Sequence, residues 1–219
     1  MAARKRYNSP LMAERRQHML ALTRQMLAES GYAGLSMRAL AARANVAVST
    51  IYAAFGSKDD LIYEASSELY QQSFDLASAS PHRPSLEIIA LVCDGLGRNT
   101  RPSVAYAQAC CRIYFLAERD STLGRKLSSL LHDWILDLLG TLRARDELQP
   151  WTPLATLAQD ISSHLWAMVY DWTLGRYPDA TLGTRYELIL TTALLPYATP
   201  AFQPALTARV DALARLLAG

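Results

Sequence analysis

The chain has 219 residues, of which 51% are hydrophobic and 19% charged, and its formal net charge is +2. This composition excludes an intrinsically disordered chain, and the presence of only three cysteines excludes a disulfide-stapled secreted scaffold. The basic start Arg4, Lys5 and Arg6 is not followed by an apolar run. We therefore expect no secretory signal, no membrane span and a cytoplasmic location.

The positive charge is concentrated at the start of the chain. Residues 1–60 contain nine Lys and Arg against four Asp and Glu, which gives a charge of +5. Residues 61–219 contain thirteen basic and sixteen acidic side chains, which gives −3. A basic segment attached to a mildly acidic body indicates a polyanionic partner for that segment alone.

Helical spacing recurs along the whole chain, and no stretch shows the sustained alternation of a β-strand. We therefore predict an all-α fold. The first predicted helix spans 12–30, where the apolar side chains lie three and four residues apart and so form one buried face. Gly31 ends this helix because glycine adopts the left-handed conformation that many helix ends require.

Two short helices and a longer one follow the first. They are predicted over 37–44, 47–55 and 58–79, and each of the outer two begins after a capping serine, Ser36 or Ser57. The first three helices occupy few residues and are joined by short turns, an arrangement typical of a helix-turn-helix unit.

The rest of the chain is predicted to be a larger helical domain. A proline-containing linker over 80–84 precedes it. Six further helices are predicted over 85–97, 102–118, 122–146, 153–175, 182–198 and 204–217. We therefore divide the chain into a helix-turn-helix domain at 1–60 and a second helical domain at 61–219.

The segment 36–61 carries the most specific pattern. Its apolar residues are spaced so that two short helices cross closely, and Asn45 stands in the turn between them, where positive φ is required. Once the apolar residues are buried, the outer side of the second helix is left free. That outer side holds Ala47, Val48, Ser49, Thr50, Ala53 and Ala54.

These residues resemble the amino-terminal domain of the tetracycline-repressor (TetR) family of transcriptional regulators. The matching run extends from Met19 to about Leu61 and contains Gly31-Tyr32, Ser36, Leu40-Ala41, Ala44, Val46, Ser49-Thr50-Ile51-Tyr52, Phe55 and Ser57-Lys58. Three positions differ from the usual family pattern, namely Leu27, Asn45 and Ala47. The last of these removes a side-chain cap worth about 1 kcal/mol from the start of the predicted recognition helix.

The resemblance implies that the helix at 47–55 enters the major groove of double-stranded DNA. Ala47 and Val48 then meet thymine methyl groups, and Ser49 and Thr50 bind base edges or phosphates. Tyr52 and Lys58 are expected to contact phosphates, as are Ser36 and Arg38 at the start of the second helix. The basic residues 4–6 are expected to add salt-dependent, sequence-independent affinity.

The resemblance also implies that the larger domain binds an effector and dimerises. The helices at 153–175 and 182–198 are expected to pair with their copies in a four-helix bundle. Because few charges fall between helices five and eight, we expect an apolar or aromatic effector there. The candidate pocket residues are Cys93, Tyr106, Cys110, Tyr114, Trp134, Leu138, Trp166 and Tyr170.

The sequence therefore predicts a homodimeric, ligand-responsive repressor that a small effector releases from a palindromic operator. We expect no cofactor, no catalytic residue and no metal ligand. One alternative is a helical metal-dependent enzyme centred on His132 and Asp133, in which the first helices serve only as scaffold. Another is a DNA-organising protein without sequence preference.

Overall fold

The computed structural model describes residues 10–78, 82–118 and 120–218. The predicted basic arm at residues 4–6 lies outside these ranges. Within them the chain forms ten α-helices, and an isolated bridge between Leu148 and Ala198 is their only β-structure. The all-α prediction is confirmed. The helices are α1 Pro10–Gly34, α2 Met37–Arg43, α3 Val48–Phe55, α4 Lys58–Ser78, α5 Ser85–Thr100, α6 Val104–Leu116, α7 Thr122–Ala144, α8 Leu154–Thr173, α9 Leu182–Leu194 and α10 Gln203–Ala218.

Every predicted helix is present, and the largest differences lie at the helix ends. Helix α5 continues three residues further than predicted, to Thr100, whose hydroxyl donates to the Leu96 carbonyl at 2.8 Å. Helix α9 is shorter than predicted because Pro196 cannot donate a backbone hydrogen bond and the chain tightens into a 3-10 turn at Leu195–Tyr197.

Helices α1 to α3 form a compact head whose apolar residues are part of the same core as those of the body. Helix α1 breaks at Gly31, which has φ of 65° and so confirms the predicted stop. The fully buried Leu27, Leu40 and Ile51 join the three helices. The predicted serine cap at the start of α4 is also present, since the Asp60 N–H donates to Ser57 Oγ at 3.0 Å.

Helices α5 to α10 form the body. Helix α5 packs between α4 and α9, α8 packs on α7, α6 and α9, and α10 covers α9. The continuous core runs from the head into this body. None of the helices in the described ranges is long and apolar enough to cross a membrane.

Helix α4 joins the head to the body. Arg24 on α1 donates to the Ala65 carbonyl at 2.9 Å and to Glu68 at 2.8 Å. In the first turn of α4, Asp60 forms an ion pair with Lys126 on α7. Helix α4 thus has partners in both the head and the body. The division of the chain at residue 60 stays a prediction.

Candidate nucleic-acid interface

Helix α3 presents a small polar surface to solvent. Its inner side is held by the buried Ile51 and Phe55, and its outer side carries the exposed Ala47, Ser49 and Thr50. This division between buried and exposed sides is what a groove-reading helix requires, because the buried side fixes the orientation of the exposed one.

Two predicted contacts of α3 differ in how much of the side chain is available. Tyr52 is 51% exposed, so its hydroxyl is accessible and the ring is not a core residue. Val48 is half-buried and packs against the core. Only the outward part of Val48 is therefore able to meet a thymine methyl group.

The turn before α3 sets the angle between α2 and α3. Asn45 has φ of 52°, as predicted from its tolerance of the left-handed region. The Val46 N–H donates to the Ala41 carbonyl at 3.0 Å and closes the turn. Ala47 provides no side-chain cap, so the first N–H groups of α3 have no side-chain acceptor there.

Helix α2 contributes the two other predicted contacts. The hydroxyl of Ser36 accepts the Ala39 N–H at 3.1 Å and so fixes the first turn of α2. Arg38 is exposed and forms no ion pair within the described residues, whereas the neighbouring Arg43 is held by Glu29 at 2.7 Å. Arg38 is therefore the guanidinium of α2 that is available to a phosphate.

Lys58 has partners inside the head that the sequence did not indicate. Its ammonium lies 3.9 Å from the centre of the Tyr32 ring and donates to the Tyr32 carbonyl. The Tyr32 hydroxyl in turn donates to Asp59 at 2.9 Å. Partial burial lowers the pKa of Lys58, while the Asp59 carboxylate acts in the opposite direction. Lys58 thus fastens the end of α1 to the start of α4, and its phosphate contact stays a prediction.

The predicted effector-pocket residues lie in the core of the body. Tyr106 and Ser66 share a hydrogen bond of 2.7 Å. The Tyr114 ring stacks on Trp166 at 4.7 Å. Trp134 stacks on Phe74, Tyr170 contacts Phe115, and Cys93, Cys110 and Leu138 are buried. Of the eight, Tyr106 lines one of the five main cavities within the described residues, and the other seven line none of them.

The two cavities with most apolar lining flank the contact between α1 and α6. One has a volume of about 690 Å³ and is lined by residues such as Leu27, Tyr32 and Arg112. The other has about 540 Å³, includes Tyr106, and shares Ala28 with the first. Sequence reasoning missed both, because they form where distant parts of the chain meet.

Four buried side-chain atoms in the body have no hydrogen-bond partner within the described residues, namely Arg143 Nε, Glu147 Oε2, Ser162 Oγ and Trp166 Nε1. The last two belong to residues one helical turn apart on α8. An unsatisfied buried donor costs about 1–3 kcal/mol. Two such groups one turn apart on one helix therefore call for a hydrogen-bond partner that the described residues do not provide.

The described residues that could support catalysis, His132, Asp133 and the three cysteines, do not form a metal site. His132 Nδ1 lies 3.0 Å from Asp133 Oδ1, and the described residues include no group of three potential metal ligands around them. Burial raises the pKa of the Cys110 thiol to about 11 and also raises the pKa values of Cys93 and Cys111. These thiols are protonated at neutral pH and are therefore weak nucleophiles.

Comparison with known proteins agrees with this architecture. Residues 19–65 match the family described as bacterial regulatory proteins, tetR family. The HTH-type transcriptional repressor KstR of Rhodococcus jostii is 25% identical over 181 residues, which cover 83% of each chain.

Solved structures show the same fold. The transcriptional regulator FadR of Bacillus subtilis, in complex with stearoyl-CoA, has a TM-score of 0.62 at 18% identity and covers 80% of this chain and 96% of its own. The repressor FadR of Thermus thermophilus, in complex with lauroyl-CoA, has a TM-score of 0.57 at 15% identity and covers 92% of each chain.

The family match falls on the head, where α2 and α3 cross beneath an exposed polar surface, and the similarity to KstR extends through the body. Residues 19–65 thus carry the DNA-binding domain of the TetR family of bacterial regulatory proteins, and over most of its length the chain is similar to a transcriptional repressor.

Proposed function

We propose that the chain acts as a homodimeric repressor that leaves a palindromic operator when an apolar effector enters its body. The observation that carries this proposal is the exposed surface of α3, where Ser49, Thr50 and Tyr52 stand outward from a helix whose inner side is buried. With Arg38 on α2, this surface combines base-reading and phosphate-contacting groups.

The α8–α9 face is the proposed dimer interface. A groove between these helices is lined by residues that include Ala167, Leu188 and Ile189. The two α9 residues are half-exposed, as are Ala193 near the end of the helix and Leu195 directly after it. Pairing this face with its copy buries these side chains and fixes the separation of the two α3 helices, which must be about 34–36 Å or a multiple of one DNA turn.

The proposed effector is a long-chain acyl thioester. Two proteins of the same fold are complexes with stearoyl-CoA and lauroyl-CoA. The interior between α6 and α8 is apolar and aromatic, which suits an acyl chain. Its entry displaces α6, and the bond between Tyr106 and Ser66 passes the displacement to α4, which carries the head.

The α3 surface is tested by Thr50→Ala and Tyr52→Phe, measured on an operator located by footprinting upstream of the chain's own gene. We expect Thr50→Ala to weaken operator binding by about 5- to 150-fold and to alter the preferred bases. Tyr52→Phe should weaken binding to all sequences about equally, by roughly 2- to 10-fold, because it removes one phosphate contact. Fluorescence anisotropy at fixed salt gives both values.

Thr207→Ala on the exposed side of α10 is the matched control and should leave binding unchanged. Equal losses for Thr50→Ala on operator and random DNA would contradict base reading by this residue. A wild-type preference for operator over random DNA well below about 10³-fold would favour a DNA-organising protein instead.

The dimer interface is tested by Ile189→Glu. A carboxylate at the centre of an apolar helix bundle is costly to bury, so this variant should sediment as a single chain where the wild type sediments as two. Leu216→Glu on α10, which places the same charge at a residue that is 69% exposed, is the control. An Ile189→Glu variant that remains paired in analytical ultracentrifugation would contradict the proposed interface.

A further inference from the structure

The two unpartnered donors on α8 occupy the same side of the helix. Ser162 and Trp166 are four residues apart, so their side chains lie one above the other. Ser162 is 1% exposed and Trp166 is 6% exposed. Neither Ser162 Oγ nor Trp166 Nε1 has a hydrogen-bond partner within the described residues.

Helix α6 covers this part of α8. The Tyr114 ring lies parallel to the Trp166 ring, with an interplanar angle of 11° and centroids 4.7 Å apart. At the edge of this contact the Tyr114 and Ser163 hydroxyls are 3.4 Å apart, and the next residue, Phe115, is exposed. The stack between α6 and α8 is thus close to solvent at one side and leads inward to the two donors.

The chemistry of the donors limits what they bind. An indole N–H only donates, and a serine hydroxyl beside it is free to donate as well, so the matching group is an acceptor. The buried charged and polar side chains within the described residues include no Lys, Arg or His. A carboxylate at this position would therefore be an unpaired buried charge, and a neutral carbonyl oxygen is the acceptor that fits.

We propose that Ser162 Oγ and Trp166 Nε1 together donate hydrogen bonds to the carbonyl oxygen of an otherwise apolar effector that parts the Tyr114–Trp166 stack. This inference rests on the proposed function, because it assigns the effector of that function a thioester or other neutral carbonyl. Hydrogen bonds to the bound effector also offset the free energy that burial of the two unpaired donors costs.

The test compares two ligands that differ in this one oxygen. Lauroyl-CoA carries the carbonyl, and S-dodecyl-CoA is the thioether that lacks it. Binding of each is measured by calorimetry without DNA, for the wild type, Ser162→Ala, Trp166→Phe and the control Trp151→Phe. Trp151 is 65% exposed and lies before α8, so its replacement is matched in chemistry and removed from the site.

We expect the wild type to bind lauroyl-CoA at least about tenfold more tightly than the thioether. Ser162→Ala and Trp166→Phe should each reduce this ratio about threefold or more, and Trp151→Phe should preserve it. Urea unfolding provides the check on folding: Ser162→Ala removes an unpaired buried donor and should be at least as stable as the wild type. Trp166→Phe also removes buried ring volume, so it should be less stable than Ser162→Ala but still folded.

Equal wild-type affinity for the two ligands would overturn the inference, as would a ratio that both α8 variants retain. Dodecanoate binding as tightly as lauroyl-CoA would overturn the assignment of a neutral acceptor. Absence of binding by both CoA ligands would also overturn it.

Operator release by lauroyl-CoA is measured separately by anisotropy. If the carbonyl preference depends on the two residues but the operator stays bound, the inference holds and the effector role in the proposed function fails.

Discussion

Replacing Arg209 with alanine is expected to lower the free energy of unfolding by about 3 kcal/mol. Arg209 on α10 holds Glu187 on α9 through two hydrogen bonds, one of them between Nη2 and Oε2 at 2.8 Å. Glu187 is only 4% exposed, so its carboxylate loses its compensating charge while it stays buried. Because Arg209 is itself partly exposed, we expect the lower end of the range known for buried pairs.

Two further variants separate this cause from a general effect on α10. Arg215→Ala removes an exposed arginine from the same helix and should change stability by less than about 0.5 kcal/mol. Adding Glu187→Gln to Arg209→Ala removes the unpaired charge and should restore part of the loss. Urea unfolding followed by circular dichroism measures all three. Similar losses for Arg209→Ala and Arg215→Ala would refute the role of the buried carboxylate.

Local signals in the sequence account for most of the helical framework. Ser36, Ser57 and Gly31 act within one turn of their own positions, and the structure shows each at the helix boundary that it was predicted to form. Asn45 was predictable for the same reason, since positive φ depends on the residue itself. The misjudged ends of α5 and α9 depended on the side chain of Thr100 and on Pro196.

The exposed surface of α3 followed from periodicity, but the environment of Lys58 did not. Ile51 and Phe55 fix which side of α3 is buried, so the exposure of Ser49 and Thr50 was implied by their spacing. Lys58 binds a carbonyl 26 residues earlier in the chain. A contact across that separation leaves no local pattern, and only the packing of α1 against α4 reveals it.

The proposed effector site was the least predictable part. Aromatic residues at helical spacing have the same pattern whether they fill a core or line a cavity, and Tyr114 and Trp166 in fact stack on each other. The cavities beside the α1–α6 contact arise from the meeting of distant segments. The unpaired state of Ser162 and Trp166 is likewise a property of their neighbours and not of their spacing.

Gly97→Ala is expected to cost about 2–3 kcal/mol of unfolding free energy, because α5 and α9 touch at this residue through their backbones. A Cβ on Gly97 would lie 2.8 Å from the Gly183 nitrogen and 2.9 Å from its Cα. Backbone atoms inside a packed helix pair cannot rotate away as a side chain does, so the two helices must separate. Their separation also loosens the core around α5.

Gly140→Ala is the control that isolates this contact, since it makes the same substitution inside α7, where a Cβ would have no atom within 4 Å. There the greater helix propensity of alanine should raise stability by up to about 1 kcal/mol. Thermal and urea unfolding of both variants should therefore shift in opposite directions. A Gly97→Ala protein as stable as Gly140→Ala would show that α5 and α9 are not in backbone contact at Gly97 and Gly183. The expected result instead ties the position of α9, and with it the proposed dimer face, to the glycine pair that lets α5 pack against it.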